Sequence, residues 1–345
     1  MNVAVYFSAG IGDAVVLIPL VKHLKKLGCK VTGVFTSSFS CQDIFDNTTL
    51  LDKSIILDSK KDKLLFVLAY FKSFSTTYLN FFANNRTNLL LSSITSKKII
   101  TNKQLVKSQL FSSIIYKKPI PSIHDSLQNL ILFDETQQTV NSADFLLDYD
   151  FKTSFTVKRE NIKRKYIVLQ LSTGNNVHKY KNWSTKNWKT FIERFLSTYP
   201  EIDIILAGDK NETKYADELV KTFHNSIYST VGKTTISEAI QLLHKSFVFI
   251  GLDGGLMHLA VTTNTPTFTL WGASNPEMYG YHTMDASKHC VVVSKTECSP
   301  CNAWLNPNTT RVNNPFDCPD VKCMKNLTPD YVFSEFKSFF NALSR

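Results

Sequence analysis

A chain of 345 residues exceeds what one hydrophobic core usually covers, so two domains of ordinary size are expected. Its 43% hydrophobic and 20% charged residues exclude a collagen-like, repetitive or disordered protein. A formal net charge of +10 and a pI near 9.1 call for an anionic partner, but the lysines are scattered (Lys60-Lys61, Lys97-Lys98, Lys117-Lys118) without a nucleic-acid motif, which sets nucleic acid aside.

The apolar run Val3 to Phe7 ends at Gly10-Ile11-Gly12-Asp13, the pattern of strand, tight turn and helix. Val16, Leu17, Leu20, Val21, Leu24 and Leu27 recur at helical spacing, with Lys22, Lys25 and Lys26 opposite and Gly28 as the stop. Pro19 within that pattern predicts a kink or a tight first turn. Val31 to Phe35 resumes strand character. Apolar runs at Ser54 to Leu57, Thr77 to Phe82 and Lys98 to Ile100 then alternate with helical patterns at Leu64 to Phe74 and Asn88 to Ile94. Such alternation predicts a parallel sheet flanked by helices. The most membrane-like stretch, Leu64 to Phe82, is interrupted by Lys72, Ser/Thr residues and Asn80, and fails as a spanning helix. Met1 to Phe7 has no basic leader, so a cytoplasmic protein is expected, at most peripheral at the inner face of the inner membrane.

A polar, basic stretch at Val157 to Lys165 marks the domain boundary. The second series reads strand Tyr166 to Leu171, strand Ile202 to Ala207, helix Glu212 to Phe223, helix Ile236 to His244, strand Phe247 to Ile250, helix Leu256 to Thr263 and strand Thr267 to Trp271. The expected organisation is an α/β chain of two doubly wound, Rossmann-like domains, residues 1–160 and 161–327. A closing helix, 328–345, is free to pack back on the first domain. Ligands in such sheets bind beyond the carboxyl ends of the strands, which directs attention to the loops after Phe7, Leu171, Ala207 and Ile250.

Three of those loops carry candidate chemistry. At Gly10-Ile11-Gly12-Asp13, glycines admit a ligand to the backbone and Asp13 either caps the helix or serves as a general base toward a sugar hydroxyl. It is no dinucleotide fingerprint, because Val15 stands where the third glycine would fall and no acidic residue ends the strand near Phe35, so a nicotinamide dehydrogenase is poorly supported. Ser172-Thr173-Gly174, with Lys179, Lys181 and Trp183, reads as a basic surface loop or as a cradle for phosphate oxygens that neutralises a diphosphate leaving group. Gly251-Leu252-Asp253-Gly254-Gly255-Leu256-Met257-His258 joins a buried strand to a glycine turn and a helix start, whose amides suit phosphate; His258 falls about one turn into that helix.

In that order, and with Lys181-Asn182-Trp183, Ala207-Gly208 followed by Glu212, and Trp271-Gly272-Ala273-Ser274-Asn275-Pro276, these segments resemble glycosyltransferase family 9, the heptosyltransferase group, over roughly residues 1 to 285. The resemblance implies the GT-B architecture, two Rossmann-like domains facing across a cleft. It implies an inverting transfer of sugar, heptose from an ADP-linked donor, onto a lipopolysaccharide core or related surface glycan. A protein hydroxyl as acceptor, and a sugar-nucleotide-binding subunit without turnover, are the alternatives. By position, Asp13 is implied as the catalytic base. Thr173 and Lys181 hold the donor diphosphate and Glu212 the ribose. Gly12, Asp253, Gly254, Gly255 and His258 complete the donor site, with no catalytic metal. Two departures stand out: Gly254 replaces the family's more usual Ser or Thr, and the loop Gly174 to Tyr180 is longer than in core heptosyltransferases. Asn85, Arg86 and His124 are candidates for the acceptor side, and anionic membrane is a candidate partner.

Cys298, Cys301, Cys318 and Cys323 have spacing that suits a tetrahedral thiolate site for a structural metal. Zinc is the default, and related protein-modifying heptosyltransferases imply iron. Reduced thiols in a loop, or two disulfides in an exported protein, are the other readings. Cys29, Cys41 and Cys290 are expected in cores.

Overall fold

The computed structural model describes residues 1–7, 10–36, 41–80, 83–102, 114–117, 120, 123–152, 154–155, 165–173, 179–224, 226–301 and 317–343. The chain forms two compact units, Met1–Lys152 and Thr153–Arg345. Of the polar stretch read as the boundary, all but Lys165 lies outside the described residues.

The first unit runs β1 (Asn2–Phe7), α1 (Ile11–Val15), α2 (Ile18–Lys26), β2 (Lys30–Phe35), β3 (Lys53–Ile56), α3 (Lys60–Ala69), β4 (Thr76–Leu79), α4 (Arg86–Thr95), β5 (Ile99–Thr101), β6 (Ile114–Tyr116) and α5 (Asp125–Phe133). Its sheet has the order β3-β2-β1-β4-β5-β6, and every pair is parallel. Val3 to Phe7 of the central β1 are buried on both faces, as helices on either side of a parallel sheet require. The periodic run from Val16 to Leu27 is interrupted early: Pro19 sits at the second position of α2, where the missing N–H costs no hydrogen bond, and Gly28 ends the helix at φ +73°. The helix expected from Leu64 begins earlier, because Ser59 and Asp62 form a reciprocal cap at its start.

The second unit runs β7 (Tyr166–Leu169), α6 (Thr185–Thr198), β8 (Asp203–Leu206), α7 (Thr213–Thr222), β9 (Ile227–Ser229), α8 (Ile236–His244), β10 (Phe249–Leu252), α9 (Gly255–Thr262), β11 (Thr267–Trp271), α10 (Pro276–Tyr279), β12 (His289–Val293), α11 (Lys322–Lys325) and α12 (Pro329–Leu343). Its parallel sheet, β12-β11-β10-β7-β8-β9, repeats the winding of the first. Both units are therefore doubly wound and Rossmann-like, with strand order reversing between β1 and β4 in one and between β7 and β10 in the other. The closing helix packs within its own unit. Its Val332, Phe336 and Phe340 recur every four residues and join Trp188, Phe191 and Phe195 of α6 in one core, with Phe191 and Phe336 ring centroids 5.5 Å apart. No helix among the described residues is long and apolar enough to cross a membrane.

Candidate functional site

In the second unit, the carboxyl ends of β7, β8, β10 and β11 bring together the residues singled out in the sequence. Asp253 follows β10 directly and is buried, and its Oδ2 lies 2.6 Å from Lys181 Nζ. Burial works against the carboxylate, but the Lys181 ammonium more than offsets it and, with Ser274 and His258 nearby, holds Asp253 below the ordinary carboxylate range. Gly254 is the cap residue of α9 in extended conformation, and among the described residues no side-chain cap closes that helix. The first-turn amides and the helix dipole are thus available to an anion at the glycine turn. His258 is buried in α9, 2.7 Å through Nδ1 from the Tyr281 hydroxyl. Burial pushes it down to about 4 against the pull of Asp253, so at neutral pH it is an uncharged hydrogen-bonding group.

Lys181 is positioned by its neighbours. Trp183 is buried, donates from Nε1 to the Leu327 carbonyl (2.7 Å) and meets Trp188 edge-on at 4.8 Å, which fixes the chain two residues after Lys181. Asn182 Oδ1 accepts from Thr173 N (3.1 Å) and Thr173 Oγ1 (3.3 Å), tying the loop after β7 to the lysine segment. Residues 174–178 of the long loop lie outside the described residues. Glu212 is buried, and its carboxylate accepts from Ser172 N (3.1 Å) and Asp209 N (3.3 Å). Burial raises it to about 7 although these bonds pull the other way. Glu212 joins the loops after β7 and β8, and a Cβ on Gly208 would fall 2.7 Å from its Oε1, so a larger residue there would have to displace that carboxylate.

Sequence reasoning missed Gln170. It directly follows β7, donating from its backbone N to the Ile250 carbonyl (2.9 Å), and its buried Oε1 has no hydrogen-bond partner among the described residues. That oxygen lies 3.5 Å from where a Cβ on Gly254 would stand, at the reversal point of the sheet. The legible signal was an amide closing an otherwise apolar strand.

In the first unit, Asp13 lies in the first turn of α1 and is half-buried. It does not cap the helix; Gly10 holds that position, without a side-chain bond. The carboxylate folds back over Gly10 so closely that a Cβ there would fall 2.5 Å from Asp13 Oδ2. Gly12 belongs to the same turn. Asp125, at the start of α5, was also missed: burial first and the charge of Asp13 second raise it to about 7. Two of the acceptor candidates have structural employment, since Asn85 caps α4 through Asn88 N (2.9 Å) and His124 caps α5 through Ser126 N. Arg86 begins α4 and is exposed.

The four cysteines do not converge into a cage: among the described residues no three His, Cys, Asp or Glu side chains are placed to hold a metal ion. They are nonetheless neighbours. Burial, and then the thiolate charges of Cys301, Cys298 and Cys318, push the Cys323 thiol up to about 11. Residues 302–316, which connect the two cysteine pairs, lie outside the described residues.

The sequence profile of glycosyltransferase family 9 (heptosyltransferase) matches residues 90–310. The chain belongs to glycosyltransferase family 9. Within the family, lipooligosaccharide heptosyltransferase 2 of Campylobacter jejuni is 23% identical over 98% of both chains. Against lipopolysaccharide heptosyltransferase 3 of Escherichia coli the match is local, 24% over 33% of either chain. Among solved structures, ADP-heptose LPS heptosyltransferase II of E. coli superposes with a TM-score of 0.73 at 13% identity, covering all of both chains. The dodecameric iron-containing heptosyltransferase TibC, solved with ADP-D-β-D-heptose, superposes with a TM-score of 0.59 at 15% identity, covering 99% of this chain and 76% of that one. The fold of this family 9 chain is GT-B, built from the two Rossmann-like units described above.

Proposed function

We propose that this protein is an inverting heptosyltransferase that moves heptose from ADP-heptose onto a lipopolysaccharide core or a related bacterial surface glycan. The observation that carries the reading is the uncapped start of α9, flanked by the Lys181–Asp253 pair and the uncharged His258, at the point where a doubly wound sheet takes its ligand. ADP-heptose is supported by two of the similar structures named above, one named an ADP-heptose heptosyltransferase and the other solved in complex with ADP-D-β-D-heptose.

In this reading the diphosphate lies on the α9 amides near Lys181, with His258 as a neutral donor and Thr173 beside them. Asp13 accepts the proton of the acceptor hydroxyl. The acceptor oxygen forms its bond to the anomeric carbon as the bond from that carbon to the phosphate oxygen breaks, the electron pair leaving with ADP, and the configuration inverts. Lys181 and the helix amides stabilise the charge that develops on the leaving diphosphate, so the step needs no metal. A structural zinc or iron outside that chemistry, which a thiolate set suits, would require Cys298, Cys301, Cys318 and Cys323, neighbours but not gathered into a cage, to close around it.

Incubation of the purified protein with ADP-heptose and a heptose-deficient lipid core, following ADP release and the mass of the glycolipid, tests the proposal. Asp13→Asn is expected to lower turnover by about 10²–10⁴ while leaving ADP-heptose affinity unchanged. Full turnover in that variant, or absence of donor binding by the parent protein, rejects it. The cysteine set keeps a polypeptide acceptor as the second reading, and a polypeptide arm in the same assay separates the two. Donor binding with neither transfer nor donor hydrolysis would point to a binding subunit.

A further inference from the structure

The most apolar stretch of the sequence holds a helix that presents its apolar side chains outward. α3 begins firmly at the Ser59–Asp62 capping box, yet Phe66 is its only buried side chain, with Val67 packed partly against the same core. Leu64 is 60% exposed, Leu65 52%, Leu68 69% and, just past the helix, Phe71 68%. Leu64 and Leu68 are one turn apart with Leu65 beside them, so the three leucines line one face of α3, and Phe71 follows just past its end. Leu90 of α4, the helix packed beside α3, is 54% exposed as well. Among the described residues, the large apolar side chains exposed in the second unit are Val293 and Tyr331, neither on a common helix face. Elsewhere in the first unit Leu27, Ile56, Ile115, Tyr116 and Ile120 are exposed too, but α3 alone among the described helices carries three such leucines, and apolar side chains gathered on one element mark a surface that meets another phase or another molecule.

Charge says which. Lys60 and Lys61 are exposed at the start of α3. Lys97 and Lys98 are exposed where the chain enters β5, with Lys97 N bonded to the Phe74 carbonyl just beyond Phe71. The acid within the helix, Asp62, is committed to the capping box. An apolar stripe rimmed by lysines matches the boundary between acyl chains and anionic headgroups, with leucines and phenylalanine below the phosphates and ammonium groups among them. A protein partner would need acidic groups around an apolar socket to match the same rim, a more demanding complement than a bilayer supplies.

We propose that the α3 face, Leu64, Leu65, Leu68 and Phe71 with Lys60 and Lys61, seats the protein on an anionic phospholipid surface. This holds whichever sugar is transferred. A short stripe with few lysines gives weak, reversible and salt-sensitive attachment, which suits an enzyme that must leave one lipid-borne molecule for the next.

The test is co-sedimentation of the full chain with vesicles of phosphatidylglycerol and phosphatidylethanolamine, against vesicles of phosphatidylcholine. Binding is expected to the first and not the second, and to weaken as salt rises. Leu65→Gln with Leu68→Gln, and separately Lys60→Glu with Lys61→Glu, are each expected to lower binding about tenfold. Because these side chains are exposed, both variants should keep the parent melting temperature and circular dichroism, and this is checked first. No binding of the parent to the anionic vesicles, or equal binding by both variants, overturns the proposal. So does light scattering that shows an oligomer dissociated by the leucine variant, which would make α3 a protein interface.

Discussion

In the first unit, β1 leads into a glycine turn and then Asp13; in the second, β10 leads into Asp253 and then a glycine turn. Both carboxylates stand at the reversal point of a sheet with the same winding. Asp253 is buried, paired with Lys181 at 2.6 Å and held ionised. Asp13 is half-buried, folded over Gly10, with a second carboxyl close enough to feel its charge. A doubly wound sheet thus supplies a place for a carboxylate at its reversal point, and the surroundings differ: a lysine ammonium at Asp253, a glycine turn and a second carboxyl at Asp13.

The comparison breaks most readily at Asp253. Asp253→Ala strands the Lys181 ammonium, whose side chain is 17% exposed, and the expected cost is about 3 kcal/mol of stability, read from denaturant unfolding. Asp13→Asn should change the same measurement by no more than about 0.5 kcal/mol, its effect being on turnover. Similar losses in both variants would mean that the two carboxylates do the same structural work.

A smaller effect is expected from pH. His258 sits at about 4 in the folded protein against an ordinary 6.5, so the unfolded chain binds the proton first and stability, complete above about pH 6.5, falls as pH drops toward 4. His289, also pushed by burial to about 4, acts in the same direction. Glu212 opposes them: with a folded value of about 7 against 4.5, the folded chain takes up the proton first and gains stability as pH falls through that window. His258→Gln should therefore flatten the melting-temperature loss between pH 6.5 and pH 4, by the equivalent of about 2 kcal/mol. An unchanged slope would mean that His258 is charged in the fold.

The smallest effect on stability, and the sharpest on geometry, is Gly10→Ala. The backbone there, at φ −79°, accepts alanine, but the new Cβ would displace the flexible end of Asp13. Stability should move by less than about 1 kcal/mol while turnover falls about tenfold, as expected when a base is misdirected without being removed. Unchanged turnover would show that the carboxylate has no required position.

Much of the second unit was legible because its elements are long and strongly periodic: the Trp188, Phe191, Ile192, Phe195 stripe, the Ile236 to His244 helix and the strand at Thr267 to Trp271 all appear close to where the residues imply. The short strands β6 and β9, three residues each, left no period to read. Nor did spacing reveal Gln170 or Asp125, whose significance lies in what surrounds them across space.

The order of residues along the chain set the alternation of strand and helix, the glycine turns and the carboxylates beside them, since these depend on local backbone freedom and on apolar period. Tertiary structure alone decided that Lys181 pairs with Asp253 across 72 positions, that Glu212 bridges two loops, and that the leucines of α3 face outward. Desolvation and charge coupling act through space, and their strength is set by distances that no sequence interval contains.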